Sequence, residues 1–222
     1  MNKEQKREKL ISSLKNLPDY MTKRLNELKA EFIGLERKDF IWHYILQSFS
    51  TMGNSRGHAG LILNKSNYNL VTFDAVKDLS PESRLSRFDS ILRRADVRMP
   101  SQKAQWLKVN FDKIVAMGGL EEAKKKALSQ NGTQAKIDFM KTFSGIGEKY
   151  ARNIWLDVYH PDFHNNIAID DRIKKVTQSL GYNFDNYHQH ENFYLNVAKD
   201  AGINGWELDR LLYNYTDYFM KA

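Results

Sequence analysis

Apolar residues recur at three- and four-residue intervals through most of the chain, the spacing of helices that bury one face. Near the start, Leu10, Leu14 and Leu17 fall on one side of a basic stretch from Glu4 to Leu17, which Pro18 ends. Asp19 is placed to cap a second helix in which Met21, Leu25, Leu28 and Phe32 share a face. After Gly34, Asp39 is placed to cap a third helix running to Met52. Phe40, Trp42, Tyr44, Ile45, Leu46 and Phe49 make that helix apolar nearly all round, so burial is predicted. The run STMGNSRGHAG is polar and glycine-rich and reads as a loop. Residues 60–78 hold no sustained period and read as a short helix and loop.

Ser80-Pro81-Glu82 is a good helix start, leading to a helix that ends at Ala95. Pro100-Ser101 opens another, with Ala104, Leu107, Phe111, Ile114 and Val115 on one stripe and Gly118-Gly119 as its stop. Leu120 to Leu128 reads as a short basic helix closed by Asn131-Gly132. Ala135, Phe139, Met140 and Phe143 form one stripe, and Ala151, Ile154, Trp155 and Val158 form a cleaner one. Asp170 to Leu180 turns Ile169, Ile173, Val176 and Leu180 inward, with Gly181 as the C-terminal cap. Two last helices span Glu191 to Ala201 and Gly205 to Met220; the second buries Leu208, Leu211, Leu212, Tyr215 and Phe219. Nearly every legible element is helical, so the predicted class is all-α.

Between the two stripes around residue 145 lies Ser144-Gly145-Ile146-Gly147. Its glycines allow positive φ and leave backbone N–H groups uncovered by side chains. Donors presented at a helix start form a site for one phosphate. The predicted unit is two helices joined by a glycine hairpin. Lys149 falls in the first turn of the second helix, where the dipole opposes a positive charge while a phosphate bound at the turn would support it, so it reads as a nucleophilic amine or as a phosphate-binding or surface lysine. Asp170 and Asp171 open a later helix, whose N-terminus favours an ionised carboxylate. An aspartate there serves as an N-cap, worth about 1 kcal/mol, and one of the pair can cap while the other supports chemistry.

The 222 residues suffice for one large domain or two small ones. No apolar run approaches the roughly 20 residues needed to span a bilayer, so no membrane partner is expected. MNKEQKREKL carries the charges of a signal peptide without an apolar core behind it, and a cytoplasmic, DNA-associated location is expected. The sequence has no cysteine, which excludes disulfides and thiolate metal sites. The net charge of +7 is unevenly spread. From Arg84 to Lys126 there are eleven basic residues against five acids, and from Gly181 onward three against six. A basic middle and an acidic tail suit one face for a polyanion. His160 and His164 bracket Pro161, and His188 and His190 lack a clear carboxylate partner, so no metal site is expected.

The segments FSGIGEKYA and IAIDDRIKKV resemble the signature of the helix-hairpin-helix DNA glycosylase superfamily, which includes endonuclease III and the 8-oxoguanine DNA glycosylases. The match is close over about thirty-five residues, from Phe143 to Val176. The resemblance implies two helical lobes with a central cleft, residues 36–163 forming one and 1–35 plus 164–222 the other. It assigns Lys149 as the nucleophile and Asp170 as the catalytic aspartate. Ser144, Gly145, Ile146 and Gly147 would hold a DNA backbone phosphate, possible further phosphate contacts coming from Lys174 and Lys175. A monovalent cation bridging hairpin carbonyls is a feature of relatives. Absence of cysteine excludes the four-cysteine iron–sulfur cluster of endonuclease III relatives and directs the resemblance to cluster-free branches.

Phe49 falls where relatives often carry Gln or Asn; a phenylalanine there acts as a wedge beside the flipped base or is buried in the core. Gln47, Arg56 and Trp206 are the other candidates for the base pocket. KRLNELKAEF and ELDRLLYNYTDYF are also similar to the short archaeal-type 8-oxoguanine glycosylases. The implied activity is base excision with AP lyase (β-elimination) cleavage by a monomer on double-stranded DNA with a damaged base, 8-oxoguanine being preferred. An oxidised pyrimidine is the alternative substrate, and a non-catalytic hairpin that only grips DNA is the alternative of another class.

Overall fold

The helical periods of the sequence become fourteen α-helices among the described residues, 1–30, 34–53 and 56–221, of a computed structural model. They are α1 (Lys3–Lys15), α2 (Asp19–Ala30), α3 (Phe40–Thr51), α4 (Lys65–Tyr68), α5 (Phe73–Val76), α6 (Pro81–Arg94) and α7 (Pro100–Ala116). They continue with α8 (Leu120–Leu128), α9 (Gly132–Lys141), α10 (Glu148–Leu156), α11 (Asp171–Leu180), α12 (Tyr187–Ala201), α13 (Gly205–Asn214) and α14 (Thr216–Lys221). No strand occurs among the described residues, and the fold is all-α. The chain divides into two compact units, Gly34–Ala151 and Met1–Ile33 with Arg152–Ala222. The division falls inside α10, twelve residues before the boundary expected at 163.

The first unit is built around Trp42 on α3. Its indole packs against Phe73, Phe88 and Phe111 with centroids within 6.0 Å, and its Nε1 donates to Val71 O at 2.8 Å. α6 lies along α7. Two basic residues counted toward the positive middle belong to this interior. The Arg84 guanidinium sits 3.7 Å over the Phe111 ring and donates to the carbonyls of Val76, Lys77 and Leu79. Lys103 is fully buried and donates to Phe49 O and Met52 O, each at 2.8 Å, closing the C-terminal end of α3. Burial, aided by the Arg98 charge, lowers its ammonium to about 8.

The second unit packs α1 on α12 and α11 through Leu10, Ile11 and Leu14. The stripes predicted on α10 and α11 face inward: Ala151, Ile154, Trp155 and Val158, then Ile173, Val176 and Leu180, are all buried.

Several local expectations change for physical reasons. Asp39 makes no cap hydrogen bond, because Arg37 engages both its oxygens at 2.9 and 3.0 Å. Asp19 is the first residue of α2 rather than its cap. Phe32, expected on the apolar face of α2, lies outside the described residues, as do Asn54 and Ser55 of the polar run. In that run Met52 and Gly53 form a bend as expected, but Arg56 onward is helical, with a π-helical turn over His58–Leu63. Its glycines serve close packing: a Cβ on Gly57 would lie 2.5 Å from Ser50 O, and one on Gly60 2.1 Å from Ala95 O. The helix expected from Gly205 to Met220 is two helices, broken at Tyr215 (φ −127°).

Candidate functional site

The hairpin between α9 and α10 is held from three sides within the first unit. Asn110, fully buried on α7, donates through Nδ2 to Ser144 O at 2.9 Å and accepts the Ser144 N–H at 2.7 Å. Ile146 N donates back to Phe143 O at 3.1 Å, closing the turn. Lys141 at the end of α9 pairs with Glu148 at the start of α10, Nζ to Oε2 at 2.6 Å. The two glycines then do different jobs. Gly145 takes φ +82°, and a Cβ there would strike the Trp106 ring at 2.5 Å. At Gly147 φ is not positive, and a Cβ would meet nothing within 4 Å. Gly145 lets the turn close on its own unit, whereas Gly147 leaves the outer side of the turn open.

Past that turn comes Lys149, half-buried, with Nζ 4.3 Å over the Tyr150 ring. Its ammonium has no hydrogen-bond or salt-bridge partner among the described residues. Three carbonyls at the turn accept hydrogen bonds: Thr142 O from Lys113 Nζ at 2.6 Å, Phe143 O from Ile146 N, and Ser144 O from Asn110. Lys113 brings a positive charge to this turn.

In the second unit, Asp170 caps α11. Its Oδ1 accepts from Arg172 N at 2.9 Å and from Ile173 N at 3.0 Å, while Oδ2 has no partner among the described residues. Capping and chemistry thus need not be split between two aspartates; one carboxylate has an oxygen for each. Asp171 points to solvent and lies 3.5 Å from Lys174. The residues leading into Asp170 form no regular structure, yet Ile167, Ala168 and Ile169 are buried and each amide is taken by a side chain. Ile167 N donates to Glu191 Oε1 at 3.3 Å, Ala168 N to Asp209 Oδ1 at 2.8 Å and Ile169 N to the Tyr187 hydroxyl at 3.1 Å.

The remaining candidates are scattered. Phe49 is fully buried, its ring 5.6 Å from Trp106 beneath Gly145, a core position rather than an exposed wedge. Trp206 is fully buried in the second unit, donating to Leu156 O at 2.9 Å. Gln47 is half-buried on α3. Arg56 is largely exposed and lies 3.2 Å from Asp96. Lys175 is exposed and, with Arg172, Tyr213, Tyr215 and Tyr218, lines a depression of about 420 Å³. His160 accepts from Asp162 N, and His190 is buried against Thr177 at 2.6 Å. Spacing gave no sign of Asn110, Tyr187, Glu191 or Asp209, since each acts across a long sequence gap.

No family model matches the sequence, and no curated protein matches it. Among solved structures, it is similar to the 8-oxoguanine DNA glycosylase of Thermotoga maritima, with a TM-score of 0.61. The match covers 93% of this chain and 95% of that one, at 16% identity. The chain has a DNA glycosylase fold. At that identity the likeness concerns the path of the backbone.

Proposed function

We propose that this protein is a DNA base-excision glycosylase with associated AP lyase activity, acting on an oxidised base, 8-oxoguanine ahead of an oxidised pyrimidine. One observation supports this most: a clamped glycine turn, open at Gly147, leads directly into a helix whose first turn carries Lys149 with no hydrogen-bond or salt-bridge partner among the described residues. In this reading the turn and the first amides of α10 take one backbone phosphate. The damaged base is flipped out of the duplex. The Lys149 amine attacks sugar C1′; the C1′–N bond breaks and the base departs with a proton given up by that amine. Ring opening gives a lysine-linked Schiff base, and loss of a C2′ proton expels the 3′ phosphate. Asp170, through Oδ2, stabilises the positive charge that develops on the sugar as the bond breaks. Lys175 is the better phosphate contact of the two lysines on α11, because Lys174 lies beside the Asp171 carboxylate.

Borohydride trapping on duplexes holding one 8-oxoguanine or one abasic site tests the reading. The wild-type chain is expected to form a covalent adduct and Lys149→Gln to form none. Persistent trapping by the variant rejects the nucleophile, and DNA binding without incision by the wild-type chain favours a hairpin that only grips DNA.

A further inference from the structure

A buried N–H outside regular structure needs a partner, and water or neighbouring backbone is the common one. On the approach to Asp170 the partners are side chains. Three successive amides are fixed by three side chains on α12 and α13, and the Tyr187 hydroxyl also donates to Ile167 O at 2.9 Å. Those side chains are themselves held. Arg152 grips both Glu191 oxygens at 3.1 Å and lies 4.5 Å over the Tyr187 ring. Gly205, whose Cβ would be 2.8 Å from Asn166 N, lets the start of α13 close on the backbone just upstream. Trp206 N donates to His164 O at 2.9 Å on the same stretch. Immediately after it, Asp170 itself is pinned by one oxygen only.

We propose that Tyr187, Glu191 and Asp209 are positioning residues that fix the backbone entering Asp170, and so the direction of its unpartnered carboxylate oxygen. This rests on the catalytic role given to Asp170 above. A carboxylate that stabilises charge on one sugar atom acts through placement, and a misplacement of about 1 Å costs about 100-fold in rate. Ordinary satisfaction of buried polar groups asks only for some acceptor. A set anchored by a buried ion pair and a stacked guanidinium gives a fixed geometry, as the support of a reacting group requires.

The test is single-turnover base release from a duplex with one 8-oxoguanine, measured beside DNA affinity and thermal unfolding. Tyr187→Phe keeps the ring under Arg152 and removes only the hydroxyl. It is expected to lower the rate roughly ten- to 100-fold with DNA affinity nearly unchanged, while the unfolding temperature falls because Ile169 N–H and Ile167 C=O lose their partner. Asp209→Asn retains an acceptor for Ala168 N and is expected to stay close to the wild-type rate, whereas Asp209→Leu is not. A wild-type rate in Tyr187→Phe overturns the proposal. So does a parallel fall of rate, affinity and stability in which Asn is no better than Leu. Should Asp209→Leu fail to fold, Tyr187→Phe alone decides. Asp170→Asn separates the two readings: if it keeps the wild-type rate, the role of Asp170 itself is wrong. If it is inactive while Tyr187→Phe is fully active, only the positioning proposal falls.

Discussion

Asn110 and Ser144 exchange two hydrogen bonds across thirty-four residues of sequence, the side-chain amide pairing with a backbone N–H and C=O as a neighbouring strand would. The turn carrying the glycines is therefore fixed by a helix outside the hairpin. Asn110→Leu strands both backbone groups of Ser144 in a part-buried setting, at a cost of roughly 1 kcal/mol for each unsatisfied group, the low end of the range for buried groups. Urea unfolding is expected to show that loss, and binding to an abasic duplex to weaken beyond it. Unchanged stability in the variant would contradict the role assigned to the amide.

The hairpin glycines are expected to separate cleanly. Gly145→Ala forces a Cβ to within 2.5 Å of the Trp106 ring at φ +82°. The left-handed backbone alone costs about 1–2 kcal/mol, and the collision adds to it, so a lower melting temperature is predicted. Gly147→Ala meets nothing within 4 Å and should fold as stably as wild type. Its methyl would instead stand where the proposed phosphate approaches, so DNA affinity should fall at unchanged stability. Reversal of this pattern, with Gly147→Ala unstable and Gly145→Ala normal, would overturn the division of labour.

Much of the fold was legible because each long helix buries one face. The stripes on α10 and α11, the Asp170 cap and Gly181 (φ +84°) all follow from local spacing and cap chemistry. What escaped reading shares one cause: it depends on contacts outside any helical repeat, whether the partner is near or far along the chain. Gly57 and Gly60 resemble loop residues but are close-approach points whose partners, Ser50 and Ala95, are visible only in three dimensions. Arg84 and Lys103 count as surface charge until their heads are found on interior carbonyls. Glu191, Asp209 and Tyr187 reach the approach to Asp170 from 24, 41 and 18 residues downstream. No periodicity encodes such pairings.

Lys175 offers a test of DNA contact that is independent of catalysis. It is exposed at the depression it shares with Arg172 and Tyr213. Replacing it by Gln should weaken binding to DNA of any sequence and reduce the salt dependence by about one counterion in the slope of log affinity against log salt. Titrations at several salt concentrations measure this directly, and an unaltered slope would remove Lys175 from the interface.

Acid should destabilise the fold through two histidines, His43 half-buried and His190 buried. Burial, with nearby cations, pushes His43 and His190 down to about 4. Their ordinary value is about 6.5, so between these values the unfolded chain holds protons that the folded chain does not. Stability from these groups is present above the unfolded value and is lost as pH falls toward the folded one. From pH 7 to 5 each histidine contributes a loss of about 2 kcal/mol. Asp209 acts in the opposite sense. Burial raises its carboxyl to about 6, so its ionisation opposes folding, and acid relieves about 1 kcal/mol of that over the same interval. Urea unfolding at the two pH values should therefore show a net fall of about 3 kcal/mol. His190→Gln, which cannot titrate, should shrink the fall, and Asp209→Asn should enlarge it. Equal falls in all three proteins would show that these groups do not govern the acid limb.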